Sequence, residues 1–78
     1  MAQTKKKIED VKAVNLTANI ESHQKKMGFS KEKMGAALGI NPAVYRRKVL
    51  HPNLFTYMEL VKLFTILKFT EAEILESV

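Results

Sequence analysis

The run Leu38-Gly39-Ile40-Asn41-Pro42 constrains this chain more than any other part of it. Glycine accepts the left-handed backbone that closes a helix. Asparagine is a preferred N-cap, and proline suits the first helical position, where its missing N–H is not required. One helix must therefore end and another begin at this junction, with Ile40 as the apolar plug beneath it. Upstream, Ser30 is a good N-cap for a short helix reaching Leu38, with Met34, Ala37 and Leu38 on its inner face. Downstream, a helix runs from Pro42 through Arg46-Arg47-Lys48-Val49 until His51-Pro52-Asn53 stops it. Small residues at Gly35 and Ala36 let the two helices approach, and Tyr45 with Val49, or Val44, faces the core.

Three further helices follow from similar signals. Asn15 as N-cap and Gly28 as terminator predict a helix over residues 16–27, with Leu16, Ile20, His23 and Met27 on one face. Ile8, Val11 and Val14 recur every three residues, which suits a helical face but leaves residues 8–14 ambiguous. Thr56 with Glu59 and Thr70 with Glu73 form two capping boxes. They open helices running to about Lys68 and to the chain end, the last carrying Ile74, Leu75 and Val78. The expected fold class is all-α, a compact five-helix bundle, with residues 1–15 a basic N-terminal arm or partly ordered segment and residues 16–78 the folded domain.

A chain of 78 residues supports one domain at most and leaves little material for an enclosed pocket, which argues against an enzyme. It has no cysteine, and His23 and His51 are its two histidines, so neither a thiolate nor an all-histidine metal site is expected. The net charge is +5 and unevenly placed: +4 over residues 1–33, +3 over 34–53 and −2 over 54–78. Such asymmetry predicts one face for a polyanion and one without it. Residues 1–7, ending in Lys5-Lys6-Lys7, read either as a solvated tail or as an arm along phosphates. Residues 1–10 lack the apolar region of a secretory signal, and residues 60–67 are too short to cross a bilayer. A cytoplasmic location is expected, with no membrane, no cofactor and no small-molecule ligand.

The segment from Phe29 to Arg47 resembles the Cro/phage-repressor (Xre-type) helix-turn-helix family, a lambda-repressor-like DNA-binding domain. Met34, Gly35, Leu38, Gly39 and Ile40 match the family's order of apolar, small, apolar, glycine and apolar positions. Pro52-Asn53-Leu54-Phe55-Thr56 resembles the segment after the recognition helix, and the likeness spans roughly residues 16–76. Two positions depart from the pattern: Gly35 stands where alanine is usual, and Lys48 stands near a position that is often apolar. The resemblance implies a sequence-specific double-stranded DNA-binding transcriptional regulator of prokaryotic or phage type, a repressor acting by operator occupancy. Carried over position by position, Asn41, Pro42, Ala43, Arg46 and Arg47 would face base edges. Ser30, Lys31, Lys33, Lys25, Lys26 and Lys48 would serve phosphates.

The fourth helix is apolar almost all round, which asks for cover on more than one side. A homodimer through Leu63, Ile66, Phe69, Ile74, Leu75 and Val78 would supply it and would suit a palindromic site. Two other readings stand beside the repressor. One is an antitoxin or excisionase-like DNA-binding protein. The other is a protein-interaction module that kept the fold without DNA, with Arg46-Arg47-Lys48 as an ordinary solvated face. His23 reads as a partly buried core edge and His51 as a turn residue. Glu71, Glu73 and Glu76 sit at a helix start, where they favour the helix dipole.

Overall fold

Side chains that cap backbone N–H groups set most of the helix boundaries. The computed structural model describes residues 8–78; the tail or arm expected over residues 1–7 lies outside the described residues. The order is α1 (Ile8–Met27), α2 (Lys31–Leu38), α3 (Pro42–Leu50), a 3-10 turn (Pro52–Leu54), α4 (Tyr57–Ile66) and α5 (Glu71–Ser77). The described residues form no strand, and the fold is all-α.

Ser30 Oγ accepts from the Lys33 N–H at 3.1 Å, and Asn41 Oδ1 accepts from the Ala43 N–H at 2.7 Å. Both capping boxes are formed, Thr56 with Glu59 and Thr70 with Glu73. Gly39 takes φ 74°, so the chain turns from α2 into α3 within Gly39-Ile40-Asn41. Gly35 is small for a physical reason. A Cβ there would stand 2.8 Å from the Ile40 carbonyl oxygen and 3.3 Å from the Pro42 nitrogen.

Three expectations change. The first helix does not wait for Asn15 but starts at Ile8, and Asn15 instead donates from Nδ2 to the Glu76 carbonyl at 2.9 Å. A side chain able to cap marks a helix start only if the chain before it is not already helical, and here α5 offers it a tertiary partner. Residues 8–15 are thus the first two turns of α1. The fourth helix ends at Ile66 rather than near Lys68, because Lys68 adopts φ 56°. The Phe69 N–H then reaches back to the Phe64 carbonyl at 3.0 Å, closing the helix with a lysine in a position glycine usually fills. Ala37 and Ala36 are exposed, since the inner face of α2 is Met34, Gly35 and Leu38. Of the two small residues, Gly35 alone makes the close approach.

The core is one cluster of Leu16, Ile20, Met34, Leu38, Tyr45, Val49, Phe55, Leu63 and Leu67. Tyr45 and Val49 are the residues α3 buries, while Val44 is half-buried. Leu63, expected at a dimer contact, is fully buried in this core and has no surface to offer a partner. Polar ties dock α5 on α1: Asn19 Nδ2 donates to Glu76 Oε1 (2.8 Å) and Ser77 Oγ (3.0 Å), and Lys12 donates to the Leu75 carbonyl.

Candidate nucleic-acid interface

Residues along a helix advance about 100° each, so a run of three cannot share one face. In α3 the buried pair Tyr45 and Val49 fixes the inward direction. Arg47 and Ala43 then lie opposite the core, and both are exposed. Arg46 falls on one flank and Lys48 on the other. The basic run is therefore split among three surroundings.

On the first flank, Arg46 lines a cleft of about 270 Å³ between α1, the start of α2 and α3, with Glu21, Gln24, Lys25, Phe29, Lys31, Tyr45 and Val49. The Tyr45 phenol donates to Gln24 Oε1 at 2.7 Å, joining two residues of the lining. Burial pushes the Tyr45 hydroxyl well above its usual pKa, and the Glu21 charge adds to the effect.

On the other flank, Lys48 Nζ donates to both oxygens of Glu59, at 2.7 and 2.9 Å. Lys48, expected among the phosphate contacts, is half-buried with its ammonium held by Glu59. Burial pushes the Glu59 carboxyl upward, but hydrogen bonds from Lys48 and from the Thr56 N–H outweigh it and hold the group below the usual carboxylate range. The capping box makes Glu59 legible as the third residue of α4, but its pairing with Lys48 is set by how α4 packs against α3.

The remaining residues divide in the same way. Asn41 is exposed, but its oxygen caps α3. Pro42, expected at a base edge, is half-buried and its backbone packs against Gly35, so it serves the helix junction. Ser30 spends its hydroxyl as an acceptor for α2. Lys33 is exposed and sits 4.9 Å from the centre of the Phe29 ring, a cation–π contact. Lys25 and Lys26 are exposed in the last turn of α1, and Lys31 is exposed at the first position of α2.

Away from this face, His23 Nε2 lies 2.9 Å from both Glu73 oxygens, and its ring stacks on Phe69 with centres 4.9 Å apart. Among the described residues no group of three or more His, Asp or Glu side chains is placed to hold a metal ion, and no helix is long and apolar enough to cross a membrane. Of the other residues expected at a dimer contact, Ile66 and Phe69 are half-buried against the core and Ile74 is half-buried. Leu75 and Val78 are exposed at 66% and 56%.

No protein-family model, curated protein or solved structure matches the chain.

Proposed function

We propose that α2, the Gly39-Ile40-Asn41 turn and α3 work as a helix-turn-helix that places α3 in the major groove of duplex DNA. The chain then acts as a transcriptional regulator of prokaryotic or phage type, a repressor by operator occupancy. The observation that carries this reading is the outward face of α3. Ala43 and Arg47 are exposed opposite Tyr45 and Val49, on a helix whose position is fixed by the tight Gly35 contact. A guanidinium so placed can pair with guanine through two parallel hydrogen bonds, and a methyl group one turn earlier can meet a thymine methyl. Lys25 and Lys26, exposed in the last turn of α1, and Lys31, exposed at the start of α2, supply charge for phosphates.

Selection from random duplex DNA, with the salt dependence measured on the winning site, tests the proposal. Enrichment of a defined sequence that Arg47→Ala no longer distinguishes from a scrambled duplex is the expected result. Failure to enrich any sequence would overturn the operator-binding reading. A palindromic winner would further support a homodimer, for which Leu75 and Val78 are the exposed candidates.

The second reading, a protein-interaction module, rests on Tyr57 and Met58, exposed at 78% and 59% in the first turn of α4. Two large apolar side chains held in solvent in one helical turn suit a protein partner. Unchanged duplex binding after substitution of Arg47 would favour this reading over DNA recognition by α3.

A further inference from the structure

The three basic residues of α3 are treated alike by the sequence but differently by the fold. Lys48 is held by Glu59. Arg47 points away from the core. Arg46 lines the cleft shared by α1, α2 and α3. Two more cations line that cleft from separate elements, Lys25 from α1 and Lys31 from α2. Among the described residues the ion pairs are His23–Glu73 and Lys48–Glu59, and none of the three belongs to either. Among the described residues lining the cleft Glu21 is the one carboxylate, so its lining carries a net charge of +2.

We infer that this cleft is a seat for one backbone phosphate of the duplex, in which Arg46, Lys25 and Lys31 converge on the anion and Glu21 moderates their pull. The inference rests on the DNA-binding reading and divides labour within it: Arg46 anchors the backbone, while Arg47 reads bases. Three cations from three helices meet an anion only when α1, α2 and α3 hold their packed arrangement. The seat therefore ties affinity to the intact fold. Glu21 repels a phosphate brought into the cleft and so keeps sequence-independent binding weak, leaving a larger share of the discrimination to Arg47. Gln24, which also lines the cleft, accepts the Tyr45 phenol through Oε1.

The test measures affinity for the selected duplex and for a scrambled one across a salt series, using the full chain. Arg46→Ala should weaken both duplexes alike, by about tenfold, and flatten the dependence of log affinity on log salt by about one unit. Arg46→Lys should keep most of the affinity and the slope, since a phosphate accepts a point charge. Arg47→Lys should lose discrimination between the duplexes, because a base edge needs the two-pronged guanidinium. Glu21→Gln should tighten both duplexes by a few-fold at low salt. Unchanged thermal unfolding of each variant separates these effects from folding.

The seat is overturned if Arg46→Ala changes the ratio between the duplexes or leaves the salt slope as it was. It is overturned too if millimolar inorganic phosphate at constant ionic strength displaces the duplex, since the cleft would then select a free dianion. If the wild-type chain binds no duplex at all, the DNA-binding reading itself fails and the seat falls with it.

Discussion

Lys48 Nζ stands 2.7 Å from Glu59 Oε1, and that same oxygen accepts the Thr56 N–H at 2.9 Å. One carboxylate thus caps α4 and ties it to α3. The pair is largely covered, with side-chain exposures of 16% and 14%. Removing one partner leaves the other charge poorly solvated. Glu59→Gln should therefore lower stability by about 1–3 kcal/mol, measured by urea unfolding at neutral pH.

The same bonds make stability depend on acid. Glu59 and Glu73 both have folded-state pKa values below the usual carboxylate range. For Glu73 the Thr70 N–H is the largest cause and His23 the next. A depressed pKa contributes stability that is present above the ordinary carboxylate value and is lost as pH falls through the folded one. Thermal midpoints should accordingly drop on acidification below about pH 4.5. The drop should be shallower in Glu59→Gln; an identical acid profile would show that the Lys48 tie contributes nothing there.

Gly35→Ala looks favourable by helix propensity, which gains about 1 kcal/mol. The added carbon would meet backbone atoms of Ile40 and Pro42, which cannot swing away as a side chain can. Overpacking of this kind costs roughly 1–3 kcal/mol, so the net change should be zero to negative in stability. Duplex affinity should fall by more than stability does, since the α2–α3 angle must open. Equal or better binding in a direct titration would show that the close approach is not needed.

Lys68→Gly should stabilise the chain. Its φ of 56° burdens a side chain by about 1 kcal/mol that glycine avoids, and Lys68 is exposed, so no packing is lost. A thermal midpoint raised by a few degrees is the expected outcome.

Leu63→Ala and Leu75→Ala separate the core from the surface of the last two helices. Leu63 is fully buried and should cost roughly 2–5 kcal/mol, enough to unfold so small a domain near physiological temperature. Leu75 is 66% exposed, and its loss should move monomer stability by less than about 0.5 kcal/mol. Sedimentation of the Leu75→Ala variant against the wild type then reports on a dimer without confusing it with folding.

Residue types with a strong local meaning were legible in the sequence. Ser30, Asn41-Pro42, Gly39 and the two capping boxes each act within four residues, so their effect on the backbone does not depend on the rest of the chain. They mark the starts of α2, α3, α4 and α5 and the α2–α3 turn, but leave open whether Val49 or Val44 joins Tyr45 in the core, which packing decides for Val49. Asn15 misled for the complementary reason: its strongest partner, the Glu76 carbonyl, is 61 residues away and invisible to a local signal. Lys68 misled because nothing in a lysine announces a left-handed backbone.

By itself, then, the sequence determined an all-α chain with a short helix, a sharp turn and a basic helix after it. Tertiary structure alone decided where that basic charge goes. Consecutive side chains leave a helix in different directions, and what each meets depends on which neighbour packs there. Packing set Glu59 of α4 beside Lys48, Lys25 and Lys31 around the cleft of Arg46, and open solvent before Arg47.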